Sequence, residues 1–157
     1  MSKLVPPHGG DTLIPLLIPQ PERRDALKRA ETLPRVHLSS REVSDLFMLG
    51  MGAYTPLTGF MGAADWRGVC TDMAMADGLF WPIPITLSCG QPVADGLALG
   101  HDVALLDGDG AIIATLCVQE KYTIGRALEC EQVFRTTDPA HPGVAKVMAQ
   151  GAVNLAG

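Results

Sequence analysis

The first residues to weigh are those whose type and spacing suit phosphate, metal or acyl chemistry. A phosphate-cradling loop needs Gly-x-x-x-x-Gly-Lys-Ser/Thr, and no such run occurs; the cluster Gly108-Asp109-Gly110 has no cation and reads as a tight turn. No Gly-x-Gly-x-x-Gly lies between a strand and a helix, so a dinucleotide fingerprint is missing too. His8-Gly9-Gly10 has the outline of an esterase oxyanion segment, but no Gly-x-Ser-x-Gly supplies a nucleophile. Metal binding needs converging ligands, yet His8, His37, His101 and His141 are isolated, and Cys70, Cys89, Cys117 and Cys130 form no Cys-x-x-Cys pair. Asp65, Asp72 and Asp77 have the right type for paired-carboxylate work, although a charged outer helix face explains them without special geometry. These patterns assign no catalytic, cofactor-binding or metal-ligating residue.

Charge narrows the partners. Twelve Lys plus Arg stand against 17 Asp plus Glu, a formal charge of −5. Residues 68–120 contain no Lys or Arg, while Asp72, Asp77, Asp95, Asp102, Asp107, Asp109 and Glu120 all fall there. Nucleic-acid affinity comes largely from clustered cations releasing counter-ions, so that half of the chain is excluded as a nucleic-acid surface. The start, MSKLVPPHGGD, has no apolar signal region, and no run approaches the ~20 residues of a membrane span. An even number of cysteines permits two disulfides, but 157 residues at 47% hydrophobic do not need them. Buried free thiols in a cytoplasmic protein are the expectation.

The elements that would position any site follow from periodicity. At 157 residues and 18% charged, one globular domain is expected; with only 5% aromatics its core must be aliphatic. Residues 1–21, rich in Pro and Gly, should run extended over a surface. Residues 22–33 read as a short surface helix with Ala26, Leu27 and Ala30 inward and an Asp25–Arg29 pair outward. A short strand is expected at Arg35-Val36-His37-Leu38. Ser39-Ser40-Arg41-Glu42 then has the Ser-x-x-Glu form of a capping box, opening a helix through Val43, Leu46, Phe47 and Leu49 that Gly50 and Gly52 close. A third helix is expected from Ala63 to Met73, with a turn at Asp77-Gly78.

Beyond it the pattern becomes extended. Leu79 to Leu87 holds Pro82 and Pro84, which allow only an edge strand or a strand entered from the Pro-rich side. Val103–Leu106, the turn Asp107-Gly108-Asp109-Gly110, and Ala111–Val118 form the clearest hairpin. Helices are expected over 125–134 and 139–150, and Ala152 to Leu155 begins a last strand. The chain stops just after it, as a domain cut from a longer protein would.

Four longer phrases stand in order: Leu4-Val5-Pro6-Pro7-His8-Gly9-Gly10, Gly52-Ala53-Tyr54-Thr55-Pro56-Leu57-Thr58-Gly59-Phe60-Met61, Trp81-Pro82-Ile83-Pro84-Ile85-Thr86-Leu87, and Thr136-Thr137-Asp138-Pro139-Ala140-His141-Pro142-Gly143-Val144. Together they resemble the N-terminal domain of the ATP sulfurylase (sulfate adenylyltransferase) family, over essentially the whole chain. The resemblance implies an α+β fold, a PUA-like small mixed β-barrel with flanking helices, as a single domain over 1–157. It implies a separate nucleotidyltransferase domain that joins ATP, with Mg, to sulfate, giving adenylyl sulfate and pyrophosphate. The family's Gln-x-Arg-Asn-Pro and His-x-x-His signatures belong to that second domain, and neither occurs here.

On this reading the chain is a non-catalytic scaffold whose partner is the C-terminal catalytic domain, in a cytoplasmic homo-oligomer without nucleic acid or membrane. Tyr54, Phe60 and Trp81 are either core aromatics or supports for that neighbour. The alternatives are a free-standing binding module, since PUA-like barrels elsewhere bind RNA, and an adaptor for a separately encoded catalytic chain.

Overall fold

The computed structural model describes residues 5–157. Met1 to Leu4, and with them Leu4 of the first phrase, lie outside the described residues. From Val5 to Pro19 the chain forms no helix or strand and is largely exposed, as its prolines and glycines dictate. Two units follow: one up to Gly59 together with Val103–Leu116, the other Phe60–Asp102 together with Cys117–Gly157.

In the first unit, a 3-10 turn leads into helix α1 (Arg23–Ala30), then strand β1 (Arg35–His37) and helix α2 (Ser40–Gly50). The capping box forms as its residues require. Ser39 Oγ accepts from the Glu42 amide at 3.3 Å, and Glu42 Oε2 accepts from the Ser39 amide at 2.7 Å. Two orphan donors of the first turn are thereby satisfied. Ser39→Ala is expected to lower stability by about 1 kcal/mol in urea titration, because it leaves one of these amides without its acceptor. Gly52, not Gly50, makes the exit: its φ is +78°, and a Cβ there would lie 3.0 Å from the Pro15 nitrogen.

Strands β3 (Asp102–Leu106) and β4 (Ile112–Cys117) form the expected hairpin, and β1 adds to it in the order β1-β3-β4. In its turn, Asp107 Oδ1 accepts from the amides of Asp109 (3.0 Å) and Ala111 (2.9 Å). β1 runs parallel to β3 with Val36 opposite Leu105. Parallel strands cannot be joined by a tight turn, so a long stretch of chain separates them. Ala30, Ala104 and Leu106 pack together in this unit, with Leu33 and Ile112 against them.

The second unit holds α3 (Ala63–Asp72), β2 (Leu87–Cys89), α4 (Gln91–Asp95), β5 (Glu120–Tyr122), α5 (Arg126–Glu129) with a π-helical turn over Cys130–Phe134, α6 (Pro142–Met148) and β6 (Val153–Ala156). The last strand is the centre of an antiparallel sheet ordered β2-β6-β5. β2 begins at Leu87, past both prolines and at the sheet edge, as their missing N–H groups demand. β5 and α4, each only a few residues long, had no sequence signal.

Three expectations need correcting. Leu27 is exposed rather than inward-facing. Asp25 and Arg29 form no ion pair among the described residues, where the salt bridges run from Arg41 to Glu42 and Asp45; water competes well for two exposed charges. Cys70, Cys89 and Cys130 are buried free thiols, but Cys117 is exposed.

Candidate functional site

Several titratable groups of the second unit, Glu129, Cys70, Cys130 and Tyr122, lie near one another around α3, α5 and β5. Trp66, buried on α3, donates its indole N–H to Glu129 Oε2 at 2.7 Å, and Glu129 is only 4% exposed. Near this carboxylate lie the thiols of Cys70 and Cys130. Burial, reinforced by the Glu129 charge, pushes Cys70 up to about 12 and raises Cys130 as well. Tyr122 donates its hydroxyl to the Met61 carbonyl at 2.6 Å, and burial raises its phenol. A thiol or a phenol acts as nucleophile or base only when ionised, and the raised values of Cys70, Cys130 and Tyr122 oppose that near neutral pH. The Trp66–Glu129 bond ties α3 to the segment carrying Glu129, and neither thiol nor the phenol is activated. Cys117 is expected to take up iodoacetamide in the native protein at pH 8, with the other three thiols reacting only on unfolding; mass spectrometry should find one adduct.

A depression of about 500 Å³ opens in the same unit beside Lys121, Asp95, Gln91 and Thr123. Its cation is already engaged: Lys121 Nζ donates to the carbonyls of Ala94 (2.9 Å) and Leu97 (2.8 Å). Gln91 Nε2 donates to Asp95 Oδ1. Arg126 is used in the same manner, its two Nη atoms reaching the carbonyls of Met148, Gln150 and Gly151 at 2.7–3.1 Å. Both cations bind main-chain carbonyls at and just beyond the C-terminal ends of α4 and α6.

In the first unit, α2 turns two carboxylates inward. Glu42 serves the cap, and Asp45 Oδ2 accepts from Arg41 Nη1 at 3.1 Å while Asp45 Oδ1 accepts from the Tyr54 hydroxyl at 3.3 Å. Burial raises the Asp45 carboxyl, against the opposing pull of Arg41 and Tyr54. The Arg41…Asp45 spacing of four was legible in the sequence; that both carboxylates point inward was not.

Each carboxylate the sequence offered has a hydrogen-bond donor of its own: Asp65 accepts from the Ala76 amide eleven residues on, Asp72 from the adjacent Thr71 hydroxyl and Asp77 from the Leu79 amide. His141 Nδ1 accepts from the amides of Gly143 and Val144, capping α6, with its ring 5.1 Å from that of Phe134. Among the described residues no three His, Cys, Asp or Glu side chains gather as metal ligands. Phe60 and Trp81 are buried and Tyr54 is half-buried, so all three begin as packing residues. No described helix is long and apolar enough to cross a membrane.

Residues 5–157 match the PUA-like domain family. The chain is 56% identical over 160 residues to a sulfate adenylyltransferase of Psychrobacter cryohalolentis, covering 99% of this chain and 38% of that protein. It is 58% identical to the sulfate adenylyltransferase of Syntrophobacter fumaroxidans, covering 100% and 39%. Among solved structures it resembles a hexameric APS kinase from Thiobacillus denitrificans, with a TM-score of 0.69 and 33% identity, covering 98% of this chain and 26% of that one. The chain thus spans less than two-fifths of the curated relatives it matches, and over that span, with an α+β architecture to agree, it belongs to the PUA-like domain family and is similar to the corresponding stretch of sulfate adenylyltransferases.

Proposed function

We propose that this chain is the N-terminal, non-catalytic domain of a sulfate adenylyltransferase, a scaffold for the portion that joins ATP and sulfate into adenylyl sulfate and pyrophosphate. The observation that carries the reading is the 56–58% identity to less than two-fifths of two sulfate adenylyltransferases, and the use made of three cations agrees with it. Attack of sulfate on a phosphate brings two anions together, so a site for it needs several convergent cations or backbone donors. Here Lys121 and Arg126 are committed to main-chain carbonyls and Arg41 to Asp45 and Glu42. ATP and its Mg belong, on this reading, to the rest of the enzyme. A cytoplasmic location, a homo-oligomeric parent and closure of the strands into a small barrel are part of the same proposal. The free thiols support the first, and family membership supports the last.

The chain alone is expected to catalyse no sulfate-dependent exchange of pyrophosphate into ATP. Sulfate-dependent exchange by the purified 157-residue chain would overturn the proposal.

A further inference from the structure

Helix α2 buries Glu42 and Asp45 together with Leu49, while Phe47 (60% exposed) and, just past the helix end, Met51 (53%) are left exposed. Phe47, Gly50 and Met51 share one side of the helix by their spacings of three and four. Beside them runs the N-terminal strap, held by the Leu16 amide on the Gly50 carbonyl (2.9 Å) and the Ile14 amide on Thr55 Oγ1 (3.0 Å). Leu17 Cδ2 lies 3.5 Å from where a Gly50 Cβ would be, and Leu17 is itself 63% exposed, with Leu13 at 59%. Residues 12–21 contain no charge at all.

Two elements of one unit thus bring exposed, uncharged apolar side chains to one place: Leu16 and Leu17 on the strap beside Gly50, with Leu13 further along it, and Phe47 and Met51 at the helix end. A soluble monomer rarely leaves such a face to water. Its lack of charge argues against an ionic, transient partner and for a permanent, dry contact, since obligate interfaces are the more apolar ones. The relatives supply the occupant by length: about three-fifths of each lies outside the stretch this chain matches. A permanently attached neighbour of that size satisfies the face without a second molecule.

We infer that this strap-and-helix face is the docking surface for the remaining portion of the sulfate adenylyltransferase polypeptide, an inference that rests on the proposed function. It assigns to Leu17 and Phe47 the anchoring role that the sequence had offered to Tyr54, Phe60 and Trp81.

The test joins this chain to the rest of the Syntrophobacter fumaroxidans enzyme in place of the matched stretch, and compares it with the 157-residue chain by hydroxyl-radical footprinting. Phe47 and Met51 are expected to be modified about fivefold less in the joined protein, as residues at an interface core are. Leu17→Glu with Phe47→Glu should return Met51 to the level of the isolated chain. Equal modification of Phe47 and Met51 in both proteins would overturn the inference, whether or not the variant folds. So would protection in the isolated chain that grows with concentration alongside a dimer in ultracentrifugation, since the face would then belong to a second copy. Pyrophosphate exchange by the joined protein separately tests the functional reading: its absence would count against that reading, whatever the footprint.

Discussion

Trp66→Ala is expected to lower the unfolding free energy by about 4 kcal/mol, among the larger costs a single core substitution brings. Two losses combine. The indole is 5% exposed, so its removal leaves a cavity that the surrounding backbone closes only in part. Its N–H is also the donor to Glu129 Oε2 at 2.7 Å, and a buried carboxylate loses a bond it cannot replace from solvent. Trp66→Phe separates the two, keeping most of the packing and removing the donor, and should cost about 2 kcal/mol. Urea titrations at neutral pH followed by far-UV circular dichroism measure both. A loss under 1 kcal/mol for Trp66→Ala would mean that this bond does not tie α3 to the segment carrying Glu129.

Gly151→Ala is the second large effect. A Cβ at Gly151 would lie 2.7 Å from the Cys89 nitrogen and closer still to its carbonyl group. All three atoms are backbone of β2, which pairs with β6 just beyond Gly151, so no side chain can rotate away. The added methyl must push β2 and the start of β6 apart, for which about 3 kcal/mol is the scale of a severe overpacking. Gly108→Ala is the matched control: a Cβ there meets nothing within 4 Å and Gly108 has no positive φ. Its melting curve should coincide with the parent's; a Gly151→Ala protein that also melted there would disprove the close approach.

What could be read without coordinates was local or categorical. Ser39 and Glu42 stand three apart and cap the same turn, so the helix start is complete within four residues. Asp107 to Ala111 contains every atom its turn needs. The prolines at 82 and 84 forbid ladder bonds wherever the chain goes, and β2 duly begins after them. The four phrases led to the family for the same reason, each being contiguous in the chain. The cation-free stretch 68–120 likewise bounds what that surface can bind before any fold is known.

Only the tertiary structure decided which side of each helix counts as inside. Phe47 belongs to the apolar run of α2 yet is exposed, whereas Asp45, held by Arg41 and Tyr54, is buried. A carboxylate can be buried once its partners arrive, and Tyr54 arrives from beyond the helix end. Trp66 and Glu129 are 63 positions apart, Lys121 and Ala94 27, and nothing near any of them announces the pairing. Such choices depend on which groups long-range folding brings within hydrogen-bond distance, whereas caps, turns and proline restrictions are settled by atoms a few bonds away.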